Sequence, residues 1–254
     1  MEKRGGKVEK VKKVAIRFLI RLLIVVLVLG VIIGGAMWYY LSKNYDADME
    51  AIGKFNYGKH TIKEEGKTMV FVPDGDIKAG FIFYQGGKVD HVAYSPLMSA
   101  LAEKGVLCIV PSMPFDMAVF NTDAAAGLRE DYPQVPKWYI GGHSLGGAMA
   151  ASYLAETEEK YDGLILLAAY TTADLTAKKL DVLAVYGTED WVINEKNYIA
   201  GWDLLPEGVE EYIIRGGNHA YFGTYGEQWR DGTAKITNKQ QIDQTAKAIA
   251  DFVR

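Results

Sequence analysis

The hydrophobic pattern divides the chain into unequal parts. Residues 1–21 mix basic and apolar positions, and an unbroken uncharged run then extends from Leu22 to Leu41. Its 20 residues suffice to cross the hydrocarbon core of a bilayer as one helix. Residues 42–66 are polar and lack a clear period, which predicts a juxtamembrane linker or short helix from Ser42 to about Gly58 that leads into the first strands. From residue 67 to 254, short apolar runs rich in β-branched and aromatic residues alternate with longer stretches of helical period. The runs predict strands at Thr68–Val72, Ala79–Tyr84, Val106–Pro111, Lys137–Gly141, Gly163–Ala168, Val182–Tyr186 and Glu211–Arg215. The longer stretches predict helices at about Tyr94–Lys104, Asp116–Glu130, Leu145–Glu156, Glu195–Leu205 and Lys239–Val253. Strands that alternate with helices belong to an α/β protein, here one mostly parallel sheet with helices on both faces, preceded by one N-terminal transmembrane helix.

Composition and charge sharpen this picture. With 254 residues and 49% hydrophobic content, the chain builds one substantial core without need of a second soluble domain. Residues 1–41 hold eight Lys/Arg against two Asp/Glu, which leaves 20 against 30 in the remainder, a body near -10. Such a body argues against nucleic acid as a partner, because a phosphate backbone requires a basic surface. The basic residues instead flank the apolar run, and Trp38-Tyr39-Tyr40 closes it with residues suited to the membrane–water interface. A single-pass signal anchor follows, with a cytoplasmic basic tail (1–21), a membrane span (22–41), a linker (42–66) and an extracytoplasmic domain (67–254). The competing reading is a cleaved secretory signal, since Gly34-Gly35-Ala36 offers small residues near a cut. One cysteine, Cys108, lies in an apolar run and is expected to be a buried small hydrophobe. The four histidines are scattered and show no metal-ligand spacing.

Candidate chemistry centres on Gly142-His143-Ser144-Leu145-Gly146, which places a serine between glycines directly after the strand-like Trp138-Tyr139-Ile140-Gly141 and before a run of small helix formers. This is the pattern of a nucleophile elbow, a tight strand-to-helix turn that lifts the hydroxyl above the sheet edge. A serine hydroxyl needs a histidine to take its proton and a carboxylate to orient that histidine. His219 follows the last predicted strand and Asp190 the one before it, in the order Ser, Asp, His. In a parallel sheet the carboxyl ends of the strands share one edge, so their loops can bring these three residues together. Glu189, adjacent to Asp190, and Asp174 are rivals for the acid role. The backbone N–H of Leu145 is one expected oxyanion donor, and Gly87 or Gly86, in the glycine pair after Ala79–Tyr84, is the second. His143 is expected to pack under the elbow rather than act as base, and His91 to line the pocket or cap the helix that follows it.

Taken together, Tyr84-Gln85-Gly86-Gly87-Lys88-Val89-Asp90, Gly141-Gly142-His143-Ser144-Leu145-Gly146-Gly147, Tyr186-Gly187-Thr188-Glu189-Asp190 and Gly216-Gly217-Asn218-His219-Ala220-Tyr221-Phe222-Gly223 resemble the serine α/β-hydrolase superfamily. Within it the chain is similar to the small, lidless bacterial hydrolases related to dienelactone hydrolase, from about Thr68 onward. The resemblance implies ester hydrolysis through an acyl-enzyme on Ser144, with no metal or organic cofactor. Dienelactone hydrolase itself carries a cysteine where this chain has Ser144, so its lactone substrate is not carried over. The expected substrate is a small-molecule or cell-surface ester, reached through an open pocket; Tyr94, Tyr170, Trp191, Tyr221 and Phe222 are expected either to line it or, equally, to belong to the core. The same residues would serve an acyltransferase, and a binding module that had kept the fold without turnover would share the architecture.

Overall fold

The computed structural model describes residues 2–58 and 60–253, with side chains from Ile16 onward. The chain forms two units, residues 1–43 and 44–254. The first is the helix α1 (Glu2–Leu41). Its segment Ile16–Leu41 is long and apolar enough to cross a membrane, and Leu23, Leu27, Val31 and Trp38 on it are exposed. A helix satisfies its own backbone groups, which is what a span through hydrocarbon requires.

In the second unit eight strands form one sheet: β1 (His60–Glu65), β2 (Thr68–Pro73), β3 (Ala79–Tyr84), β4 (Val106–Pro111), β5 (Trp138–His143), β6 (Gly163–Leu167), β7 (Asp181–Gly187) and β8 (Glu210–Ile214). Their spatial order is β1-β2-β4-β3-β5-β6-β7-β8. The pairs from β4 through β8 are parallel, while β1 and β2 run antiparallel to their neighbours. Five helices complete the unit among the described residues: α2 (Met49–Ile52), α3 (Ser95–Ala102), α4 (Leu145–Glu156), α5 (Glu195–Trp202) and α6 (Asn238–Phe252).

The layering follows from strand periodicity. On β3, Phe81 and Phe83 join a core with Leu97 of α3 and Ile242 and Ile249 of α6. Ile82 and Tyr84, one position out of phase, join a second core with Ala150 and Leu154 of α4. A strand buried on both faces reads as a continuous apolar run, which is why β3 and β4 stand out in the sequence. Cys108 of β4 is buried in the first core as a small hydrophobe, and burial raises its thiol pKa far above the ordinary range.

Two segments differ from the sequence-based expectation. Residues 42–58 contain a short helix, α2, capped by the Asp48 side chain, but His60–Glu65, where no strand was expected, is an edge strand paired with β2. Five of the six residues of β1 are exposed and three of them, Lys63, Glu64 and Glu65, are charged, so it lacks the apolar alternation that marks a strand, and such charge keeps a sheet edge from pairing with other chains. The expected helix at Asp116–Glu130 is absent. Short 3₁₀ turns occupy Pro114–Asp116 and Ala118–Phe120, because Phe115 (φ 55°), Asp116 (φ 52°) and Gly127 (φ 76°) lie outside the helical region. Asp116 is held there from outside the segment: its carboxylate accepts from Asn44 Nδ2 and Gln85 Nε2, and its carbonyl accepts from Lys88 N–H.

Candidate active site

Ser144 sits between the end of β5 and the start of α4 with φ 52° and ψ -122°, a conformation that costs a non-glycine residue about 1–3 kcal/mol. Its backbone N–H donates to the Leu167 carbonyl at 2.9 Å, which ties the turn to the neighbouring strand. Close packing makes the flanking glycines necessary. A Cβ on Gly142 would meet the Tyr84 carbonyl oxygen at 2.3 Å, and one on Gly146 would meet the same atom at 2.2 Å.

The loops after β7 and β8 bring Asp190 and His219 together. Asp190 Oδ2 lies 2.8 Å from His219 Nδ1, and both side chains are almost wholly buried. The other carboxylate oxygen, Oδ1, accepts from Val192 N–H and Ile193 N–H, each at 2.9 Å, so the acid cannot swing away without losing both. With an ionised Asp190, Nδ1 must donate and Nε2 is left as the acceptor. His219 Nε2 is buried without a partner and lines the same cleft as Ser144. No hydrogen bond closes between Ser144 and His219 among the described residues, and in free enzymes such contacts commonly tighten only with substrate.

The rival carboxylates lie elsewhere. Glu189 is held at the surface by Lys235 at 2.7 Å, which lowers its pKa, and Asp174 bonds Thr176 on an exposed turn. The glycine pair also divides: Gly86 N–H donates to Tyr94 Oη at 2.9 Å, whereas Gly87 N–H and Leu145 N–H have no partner among the described residues. Gly87 lies against Leu145, since a Cβ on it would approach Leu145 Cδ2 to 3.0 Å.

The cleft at Ser144 has a volume of about 380 Å³, and its walls include Leu145, Met149, Ala168, Tyr170, Ile193 and His219. Of the aromatic residues expected near it, Tyr170 lines the cleft, Tyr94 and Phe222 are core, and Trp191 stands 72% exposed. Asp90, His91 and Asp116 form the one group with metal-ligand spacing among the described residues. Their atoms already serve the fold: Asp90 caps the turn at His91–Tyr94 and pairs with His91 at 3.1 Å, and Asp116 accepts two side-chain amides.

Several residues that hold this site carry no sequence signal. Asp231 accepts from the backbone N–H groups of His219 and Ala220, and Gln241 of α6 bonds both N–H and C=O of Asn218. The segment entering the body from Asn44 is another. Tyr45 N–H donates to the Lys88 carbonyl, Tyr45 C=O accepts from Asp90 N–H, and Asp48 N–H donates to the Thr224 carbonyl. Residues 44–48 thus clamp the glycine loop and the loop after His219 at once. A chain that starts at Phe55 is expected to lose about 2–4 kcal/mol of stability, from three main-chain hydrogen bonds and the burial of Tyr45. Urea titration measures the loss.

His143, directly before Ser144, is buried, and desolvation keeps its pKa well below the usual histidine value. Its folded pKa is depressed, so the unfolded chain binds a proton that the folded chain refuses. Stability is therefore full above a pH of about 6.5 and falls as pH drops below it, by about 1.4 kcal/mol per pH unit for one proton. Urea titrations across this window should show the slope in the wild type and a shallower one in His143→Asn.

The sequence profile of the alpha/beta hydrolase family matches residues 80–243. No curated protein matches the chain significantly. Among solved structures, an esterase domain from a Rhodothermus marinus protein superposes with a TM-score of 0.53 at 12% identity, covering 77% of this chain and 99% of the other. TT1662 from Thermus thermophilus gives 0.55 at 13% identity over 78% and 99% of the two chains. Est1E from Butyrivibrio proteoclasticus gives 0.53 at 14% identity over 77% and 97%. At these identities the likeness is one of fold.

Proposed function

The chain belongs to the alpha/beta hydrolase family, and from that premise we propose that it is a membrane-anchored serine hydrolase of carboxylic esters. The observation that carries this reading is the pairing of Asp190 with His219 Nδ1, which leaves His219 Nε2 unpartnered in the cleft that Ser144 lines. In the proposed reaction Ser144 Oγ attacks the acyl carbon while His219 Nε2 takes its proton. The carbonyl electrons move onto oxygen, where the N–H groups of Leu145 and Gly87 receive the charge at the N-terminus of α4. The tetrahedral species collapses, the ester C–O bond breaks, and His219 returns the proton to the departing alkoxide. Water repeats the cycle on the acyl-enzyme and frees the acid. Gly86, engaged by Tyr94, is not a donor in this scheme.

The cleft volume supports short acyl groups, since small-molecule sites range from about 300 to 1,000 Å³ and this one lies near the lower end. The basic flank and the apolar helix support an anchor with its N-terminus in the cytoplasm and the catalytic unit outside. An acidic body repels anionic headgroups, which favours a soluble or cell-wall ester over bulk phospholipid. The test is release of p-nitrophenol from esters running from acetate to dodecanoate by the full-length protein, with Ser144→Ala alongside. Turnover that is greatest on the short esters and lost in the variant supports the reading. Equal turnover in the variant refutes it. Mass spectrometry of products with added hydroxyl acceptors separates hydrolysis from acyl transfer, and a carbonate wash that strips a trimmed protein from membranes would refute the anchor.

A further inference from the structure

Gly86, Tyr94 and His143 form one buried unit that the reaction above leaves unused. Tyr94 is fully buried at the end of the 3₁₀ turn His91–Tyr94, its ring 4.7 Å from that of Phe83. Its hydroxyl accepts Gly86 N–H at 2.9 Å and lies 2.8 Å from His143 Nδ1. No other group bonds this hydroxyl among the described residues, so the single phenolic proton is donated to Nδ1, and the neutral His143 carries its own proton on Nε2. That Nε2 is buried without a hydrogen-bond partner among the described residues. The His143 ring packs on the ring of His219, with centroids 4.5 Å apart, and on Phe222 at 5.6 Å. The glycine loop rests directly on the pair, since a Cβ on Gly86 would fall 2.7 Å from His143 Nδ1 and 2.8 Å from Tyr94 Oη. One tyrosine–histidine pair therefore touches the donor loop, the elbow and the base.

We propose that Tyr94 and His143 are positioning residues that act as a unit. The pair turns Gly86 N–H away from the reacting carbonyl, which leaves Gly87 N–H to face the oxyanion beside Leu145 N–H, and it sets the plane of the His219 ring. This inference rests on the reading of Ser144, Asp190 and His219 as the catalytic group.

The test compares full-length wild type with Tyr94→Phe, His143→Phe, the double variant and His143→Asn, each normalised to the sites that a fluorophosphonate finally labels. Tyr94→Phe is expected to lower kcat about 10- to 100-fold with KM within about threefold, because a displaced donor loop weakens transition-state contacts and not substrate binding. The double variant should be no worse than the poorer single variant, as befits residues that work together. In His143→Asn the Oδ1 takes the place of Nδ1 as acceptor for the Tyr94 hydroxyl, so its kcat should exceed that of His143→Phe by about fivefold or more. A Tyr94→Phe protein with wild-type kcat per labelled site and only a lower melting temperature would reduce the pair to packing and overturn the inference. Multiplicative losses in the double variant would overturn the coupling. Should Tyr94→Phe not fold, the two His143 variants decide: equal kcat values refute the role of the hydrogen bond. Ser144→Ala run in parallel keeps the failures apart, since turnover there would sink the catalytic reading whatever Tyr94 does.

Discussion

Asp190→Asn is expected to lower kcat about 10³–10⁴-fold in a protein that folds as well as the wild type. The asparagine Oδ1 can still accept from Val192 N–H and Ile193 N–H, which fixes the rotamer and directs the new Nδ2 at His219 Nδ1. Two donors cannot face each other, so the imidazole must move its proton to Nε2, the atom that has to receive the serine proton. The loss is one of tautomer and not of structure. Glu189→Gln is the matching control, because Glu189 pairs with Lys235 at the surface, and its kcat should stay within about twofold of wild type. Steady-state turnover alongside thermal melts of the variants measures both effects. Similar losses in the two, or none in Asp190→Asn, would mean that Asp190 does not orient His219.

Ser144→Gly should produce the other large change, and in two directions. Loss of the nucleophile is expected to reduce kcat by about 10⁵–10⁶. The same substitution relieves the backbone at φ 52°, ψ -122°, which glycine adopts without penalty and alanine does not. Relief of about 1–3 kcal/mol exceeds the extra chain entropy that glycine loses on folding, roughly 0.4–1 kcal/mol, so Ser144→Gly should be more stable than Ser144→Ala by about 1 kcal/mol. Both variants are expected to be inactive, which isolates the strain from the chemistry. Urea denaturation of the pair gives the difference directly, and equal midpoints would show that the elbow stores no strain.

The parts of the fold legible in the sequence are those where a physical constraint acts on consecutive residues. β3 and β4 are continuous apolar runs because both faces are covered, and the elbow needs Gly142 and Gly146 within a few positions of Ser144 because the Tyr84 carbonyl leaves no room for a Cβ. Segments whose conformation is imposed from a distance were not legible. Asp116 holds a left-handed backbone through partners at Asn44, Gln85 and Lys88, so the local pattern at 116–130 reads as a helix that does not form. β1 is polar because it lies at the sheet edge.

The candidate site divides in the same way. Ser144, Asp190 and His219 have recognisable residue types at strand ends in a recognisable order. The choice between Asp190 and Glu189, or between Gly86 and Gly87, turns on where a side chain or an N–H points, which neighbours in sequence cannot reveal. Asp231, Gln241, Tyr94 and residues 44–48 reach the site from outside the motifs, by two or three hydrogen bonds each that leave no period or motif in the sequence.

The most direct test of the central claim is mass spectrometry of the full-length protein after exposure to a fluorophosphonate, with the labelled peptide sequenced. The account predicts one label per chain, on Ser144, formed rapidly in the wild type and at least about 10³-fold more slowly in Asp190→Asn. A folded protein that takes no label, or takes it on another residue, would contradict it.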